Sequence, residues 1–153
     1  PEDLGESEGQ TVSVPKVDEG TPVFRNIHFK NIICNGAKRA VRLVGLPEMP
    51  VENISFTDVI LSAQTGFECL YAKDGQITNV KVIPQAGNVF GVIDRSNVTI
   101  QKAFCPAGAN PFLMVSGIKT TGIRLVDTDI SKAVKDMVFE KDANTEAVLI
   151  QPR

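Results

Sequence analysis

The sequence predicts an all-β chain wound as a right-handed parallel β-helix, a solenoid of about five coils with three short strands each. Three observations predict it: a short phrase that returns along the chain, two further apolar runs that keep step with it, and turn residues at nearly every boundary. The phrase reads Asn26-Ile27-His28-Phe29, Asn53-Ile54-Ser55-Phe56, Gln76-Ile77-Thr78, Asn97-Val98-Thr99-Ile100 and Gly122-Ile123-Arg124-Leu125. Its first residues are 27, 23, 21 and 25 apart, a spacing that fits one supersecondary unit per turn.

The first strand of each coil is this phrase, whose alternating apolar and polar positions have the period of two that marks a strand. A second strand opens at Asn31, Asp58, Asn79, Lys102 and Asp127. It runs through Ile32-Ile33-Cys34, Val59-Ile60-Leu61, Val80-Lys81-Val82, Ala103-Phe104-Cys105 and Thr128-Asp129-Ile130. The third strand is Val41-Arg42-Leu43, Phe67-Glu68-Cys69, Phe90-Gly91-Val92, Leu113-Met114-Val115 and Val138-Phe139. Three strands per period leave no space for a helix. Strands this short bury an apolar face only by stacking in parallel on equivalents about 4.8 Å away. Right-handedness follows from the bias of parallel crossovers, right-handed in about 98% of cases. Asn, Asp and Gln at recurring corners suit bends that need a left-handed backbone or a local side-chain hydrogen bond.

The ends depart from this rhythm. Residues 1–20 carry Glu2, Asp3, Glu6, Glu8, Asp18 and Glu19, with Val12, Val14 and Val17 alternating beside them, and read as an acidic linker with an edge strand. Residues 21–153 read as a single β-helix domain whose C-terminal cap becomes irregular from about 131. The final apolar run, Val148-Leu149-Ile150, caps the last coil or pairs along its edge.

Lys and Arg number 16 against 18 for Asp and Glu, so no global basic field exists to hold nucleic acid. No apolar stretch is long enough for a membrane span, and neither partner is expected. Cys34 and Cys105 hold equivalent places three coils apart, about 14 Å at strand spacing, too far for a disulfide. With Cys69 they fall on the inward parity, where a thiol packs as a small hydrophobe. No metal site and no cofactor is expected.

Candidate binding residues lie on outward rows. His28, the lone histidine, has the opposite parity to Ile27 and Phe29, and its row continues through Ser55, Thr78, Thr99 and Arg124. Lys30 beside it suits the carboxylate of a uronic acid as a point charge. Lys38, Arg39 and Arg42 form a basic cluster flanking Gly45-Leu46-Pro47-Glu48-Met49-Pro50, a turn whose prolines exclude central-strand pairing. Asp127 and Asp129 are the closest carboxylates in sequence, but Asp127 belongs to a corner row and Asp129 to an outward one. No catalytic pair is assigned to them.

The segments Thr21-Pro22-Val23-Phe24-Arg25-Asn26-Ile27, Cys34-Asn35-Gly36-Ala37, Gly45-Leu46-Pro47-Glu48-Met49-Pro50 and Asn79-Val80-Lys81-Val82-Ile83-Pro84 resemble the C-terminal part of bacterial polygalacturonase-like enzymes of glycoside hydrolase family 28. The resemblance covers roughly residues 21–100. It implies a β-helix from a periplasmic or secreted enzyme that cuts galacturonide linkages in pectin with inversion. The family's Asn-x-Asp, Asp-Asp, Gly-His-Gly and Arg-x-Lys motifs are absent from this sequence, so no catalytic residue carries over. The expectation is a non-catalytic segment that extends and caps the catalytic coils, its N-terminal coil edge covered by them or by another chain. The alternatives are a free-standing carbohydrate-binding β-helix, using His28, Lys30, Lys38, Arg39, Arg42 and Arg124, and a structural spike or adhesin segment.

Overall fold

The computed structural model describes residues 16–152. The acidic run through Glu8 and the alternation at Val12 and Val14 lie outside the described residues. Asp18 opens a local turn in which its carboxylate accepts from the Gly20 amide at 2.8 Å.

The fold is an all-β solenoid of about five turns, 60% strand with almost no helix. Nine strands form one continuous parallel sheet: β1 (Arg25–Val44), β2 (Val51–Leu70), β3 (Ala72–Pro84), β4 (Phe90–Ile93), β5 (Ser96–Gln101), β6 (Leu113–Ser116), β7 (Thr121–Val126), β8 (Met137–Glu140) and β9 (Val148–Gln151). The first-strand stack runs β1, β2, β3, β5, β7, β9, and the third-strand stack runs β1, β2, β4, β6, β8. Pairing continues round the corners, so the three short strands expected in each of the first two coils are single 20-residue strands that bend. The final run forms β9, parallel to β7, in register from Ile123 on Val148 to Val126 on Gln151.

The bends sit where the backbone turns left-handed. At the first corner Asn26, Asn53, Asp74, Asn97 and Gly122 have φ between +50° and +67°; at the second, Asn31, Asp58, Asn79, Lys102 and Asp127 have φ between +46° and +56°. Asn and Asp tolerate this region best among residues with a Cβ. Their side chains also bond between layers: Asn53 Nδ2 donates to Asn26 Oδ1 at 2.7 Å, Asn79 to Asp58 at 2.7 Å and Asn97 to Asp74 at 3.0 Å. A third corner, with Tyr71, Asp94, Gly117 and Lys141 at positive φ, carries no such uniform signature in the sequence.

Two parts of the strand reading are corrected. Gln76-Ile77-Thr78 is not level with Asn53-Ile54-Ser55: Ser55 pairs with Gln76 and Phe56 with Ile77, so the corner residue of that coil is Asp74 and the outward row reads His28, Ser55, Gln76, Thr99, Arg124. The slip is two residues, which preserves parity and hides it from pattern reading. The second-strand face also fades: Ala103-Phe104-Cys105 keeps only the isolated bridge from Lys81 to Phe104, and Thr128-Asp129-Ile130 forms no strand.

Inward residues fill the bore. Ile54, Phe56, Val59, Val80, Val82, Val98, Ile100, Leu113, Val115, Ile123 and Leu125 are buried, each removing apolar surface worth about 1.5–3 kcal/mol. Aromatic rings run through the bore within and between layers: Phe29 stacks on Phe56 of the next layer at 4.7 Å, Phe56 meets Phe67 of its own coil edge-on at 4.9 Å, and Phe67, Phe90 and Phe112 continue the series at 5.6 and 5.3 Å. The first coil is different. Ile27, Phe29, Ile32, Val41 and Leu43 lie on the same rows but are only half-buried, since no layer covers their far side among the described residues.

The same cause corrects one cysteine. Cys34 holds the inward register of Leu61 and Val82, yet it is exposed, whereas Cys69 and Cys105 are buried; all three are free thiols.

Candidate functional site

The outward residues divide into separate surfaces. On the first-strand face, His28 Nδ1 lies 2.7 Å from Ser55 Oγ, one layer along, and Lys30 is level with Thr57. Arg124 is level with Thr99 and stands four layers from His28, about 19 Å at strand spacing. A polar groove of about 270 Å³ joins Arg124 to Gln76 and Thr99 and is walled by the corner residues Asn53, Asp74 and Asn97. Asparagine amides and a guanidinium supply donors there, with Asp74 as an acceptor.

Lys38, Arg39 and Arg42 lie elsewhere. Arg39 is level with Thr65 and Arg42 with Glu68, and the Lys38 carbonyl accepts from Thr65 Oγ1 at 3.3 Å. Their surface belongs to the third strand and the corner before it. All three are exposed, and the structure does not bring them together with His28, Lys30 or Arg124.

A second groove, about 450 Å³, opens on the second-strand face. Its floor is Ile33, Ile60, Lys81 and Phe104, one per layer, and its wall is the second corner with Asn31, Asp58, Asn79 and Lys102. The Lys81 ammonium sits 4.4 Å from the centre of the Phe104 ring. Ile33 is 72% exposed, so this strip is apolar surface left in solvent and flanked by two cations and by corner amides. A sugar suits such a surface, with its C–H face on the apolar floor and its hydroxyls on the amides. In the sequence these residues are the middle positions of the second-strand runs, and nothing there marks a groove. What brings Ile33, Ile60, Lys81 and Phe104 into one trough is the strand stack, and the residues look unrelated until they are stacked.

The carboxylates near the last coil are occupied structurally. Asp129 accepts from the Ser131 amide at 2.9 Å, and that hydrogen bonding holds its carboxyl below the usual range. Asp127 is a corner residue with φ +46°. Among the described residues no three His, Cys, Asp or Glu side chains converge to hold a metal ion, and no helix is long and apolar enough to cross a membrane.

Comparison of the chain with protein-family models, with curated proteins and with solved structures finds no match.

Proposed function

We propose that this chain is a non-catalytic coil stack of a polygalacturonase-like glycoside hydrolase, periplasmic or secreted, that extends the catalytic coils and offers its outer grooves to acidic polysaccharide. The observation that carries the reading is the state of the first coil. Ile27, Phe29 and Ile32 stand half-buried directly on Ile54, Phe56 and Val59, which are buried, and the β1 edge offers the spacing and apolar rungs that another coil of the same kind would complete. Arg124, Lys81 and Lys102, on two adjoining faces, supply cations for uronate carboxylates without a global basic field.

The test is a pair of measurements on the purified chain. Calorimetry with oligogalacturonides is expected to show binding at millimolar ligand, weakened by Arg124→Ala or Lys81→Ala; no heat at that concentration overturns the polysaccharide part. Reducing-end assays on polygalacturonate are expected to show no turnover, and robust hydrolysis overturns the non-catalytic part.

A further inference from the structure

The pair Asn35-Gly36 stands where the first coil leaves the ladder. Cys34 pairs with Leu61 and Ala37 with Ala63, so two residues of β1 face the single residue Ser62 of β2 as a bulge. Ser62 meets both with one hydroxyl. Its Oγ accepts from the Gly36 amide at 3.2 Å and donates to Asn35 Oδ1 at 3.3 Å. The bulge thus sets a backbone N–H and a side-chain carbonyl on the acceptor and donor sides of the same oxygen.

A bond from the Gly36 nitrogen to Asn35 Cγ closes a five-membered imide ring. As that bond forms, the nitrogen passes its proton to Ser62 Oγ, and Oγ passes its own to Asn35 Oδ1. The tetrahedral centre then collapses: the Cγ–Nδ2 bond breaks, Oδ1 re-forms its carbonyl by giving up the relayed proton, and Nδ2 leaves with that proton as ammonia. Water opens the imide at either carbonyl, giving aspartate or isoaspartate, in which the main chain runs through the side-chain carbon. The sum is asparagine and water giving a carboxylic acid and ammonia, with no oxidant, reductant or cofactor.

Three features favour the reaction at this position. Gly36 has no side chain to crowd the ring, and its left-handed φ of +73° has open space around it. Asn35 and Gly36 are both exposed, so water reaches the imide. The Gly36 amide is bonded to a hydroxyl rather than to a ladder carbonyl, so its movement breaks no strand pairing. The comparable pair Asp74-Gly75 lacks this setting: Gly75 is buried, and Asp74 Oδ1 accepts from Asn97 Nδ2 at 3.0 Å.

We propose that Asn35-Gly36 is a self-modifying site at which the folded chain converts Asn35 to aspartate and isoaspartate through a succinimide, with the Ser62 hydroxyl relaying the proton. The product places a carboxylate three residues before Lys38, on the exposed flank of the first coil.

The experiment is incubation of the full chain at neutral pH in water enriched in heavy oxygen, followed by peptide mass spectrometry with electron-transfer fragmentation, which tells isoaspartate from aspartate. The expected result is labelled acid at position 35, isoaspartate included, accumulating ahead of any conversion at Asn88 or Asn144, which precede Val89 and Thr145. Ser62→Ala is expected to slow it by about tenfold or more, and Ser62→Thr, which keeps the hydroxyl, to restore it. Ser62 lies on the outer row with Ile83, so neither variant disturbs the bore, and thermal melts verify that both are folded. Acid at position 35 without isoaspartate, equal rates in Ser62→Ala and the unaltered chain, or an Asn35 that stays intact in the folded chain while the urea-unfolded chain converts overturns the proposal.

Discussion

Ile54 and Ser55 are adjacent in sequence and opposite in environment. Ile54 is 2% exposed in the bore, while Ser55 faces out and shares a hydrogen bond with His28. Ile54→Asp is therefore expected to cost several kcal/mol by placing an unpaired charge among apolar rungs, and Ser55→Asp less than about 0.5 kcal/mol. Urea unfolding of the two variants checks this, and equal costs contradict the assigned parity. Cys69 gives a pH dependence. Its folded pKa is raised to about 11, so the buried thiol stays protonated while the unfolded thiol ionises from about pH 9. The resulting stability is fully present below about pH 9 and is lost as pH rises to about 11, a fall of up to about 3 kcal/mol. Cys69→Val is expected to flatten the urea midpoint across that window. At this scale the sequence revealed which side chains point inward, because parity survives even the two-residue slip at Gly75. It did not reveal that Arg95 is buried, since a lone cation between two turn residues carries the pattern of an exposed corner.

Corners rather than strands determine the path of each coil. Asn79 combines a left-handed backbone, φ +51°, with a 2.7 Å bond to Asp58 one layer away. Asn79→Ala is expected to cost about 1–2 kcal/mol, from a strained Cβ and a lost hydrogen bond. Asn79→Gly removes only the bond and is expected to cost less; thermal melts of the pair separate the two contributions. The first strands were legible because apolar alternation and Asn or Asp punctuation coincide there, and the third strands from apolar alternation alone. The second strand was not legible beyond the third coil. Its alternation at 103–105 runs into Pro106, Gly108 and Pro111, which divert the chain into a loop after a single bridge. Grooves were less legible than strands, because a trough is a property of stacked layers rather than of any one phrase.

The whole molecule is a row of layers, each stabilised by its neighbours. Phe67 lies midway along the aromatic series and is 1% exposed, so Phe67→Ala is expected to cost about 3–5 kcal/mol, read from denaturant midpoints. Among the described residues the outer layers have one neighbour instead of two. Amide exchange is accordingly expected to be slowest in β3 and β5 and faster in β1 and β9, and uniform protection from end to end would contradict nearest-neighbour stacking. In the passage between second and third strands Gly36, Gly87 and Gly108 adopt φ of +73°, +82° and +81° with open space around each. These glycines fall along one flank of the stack, in the first, third and fourth layers. Short foreign peptides spliced in at the three positions would emerge side by side at multiples of about 4.8 Å, giving a ruled scaffold for multivalent display whose interior is untouched.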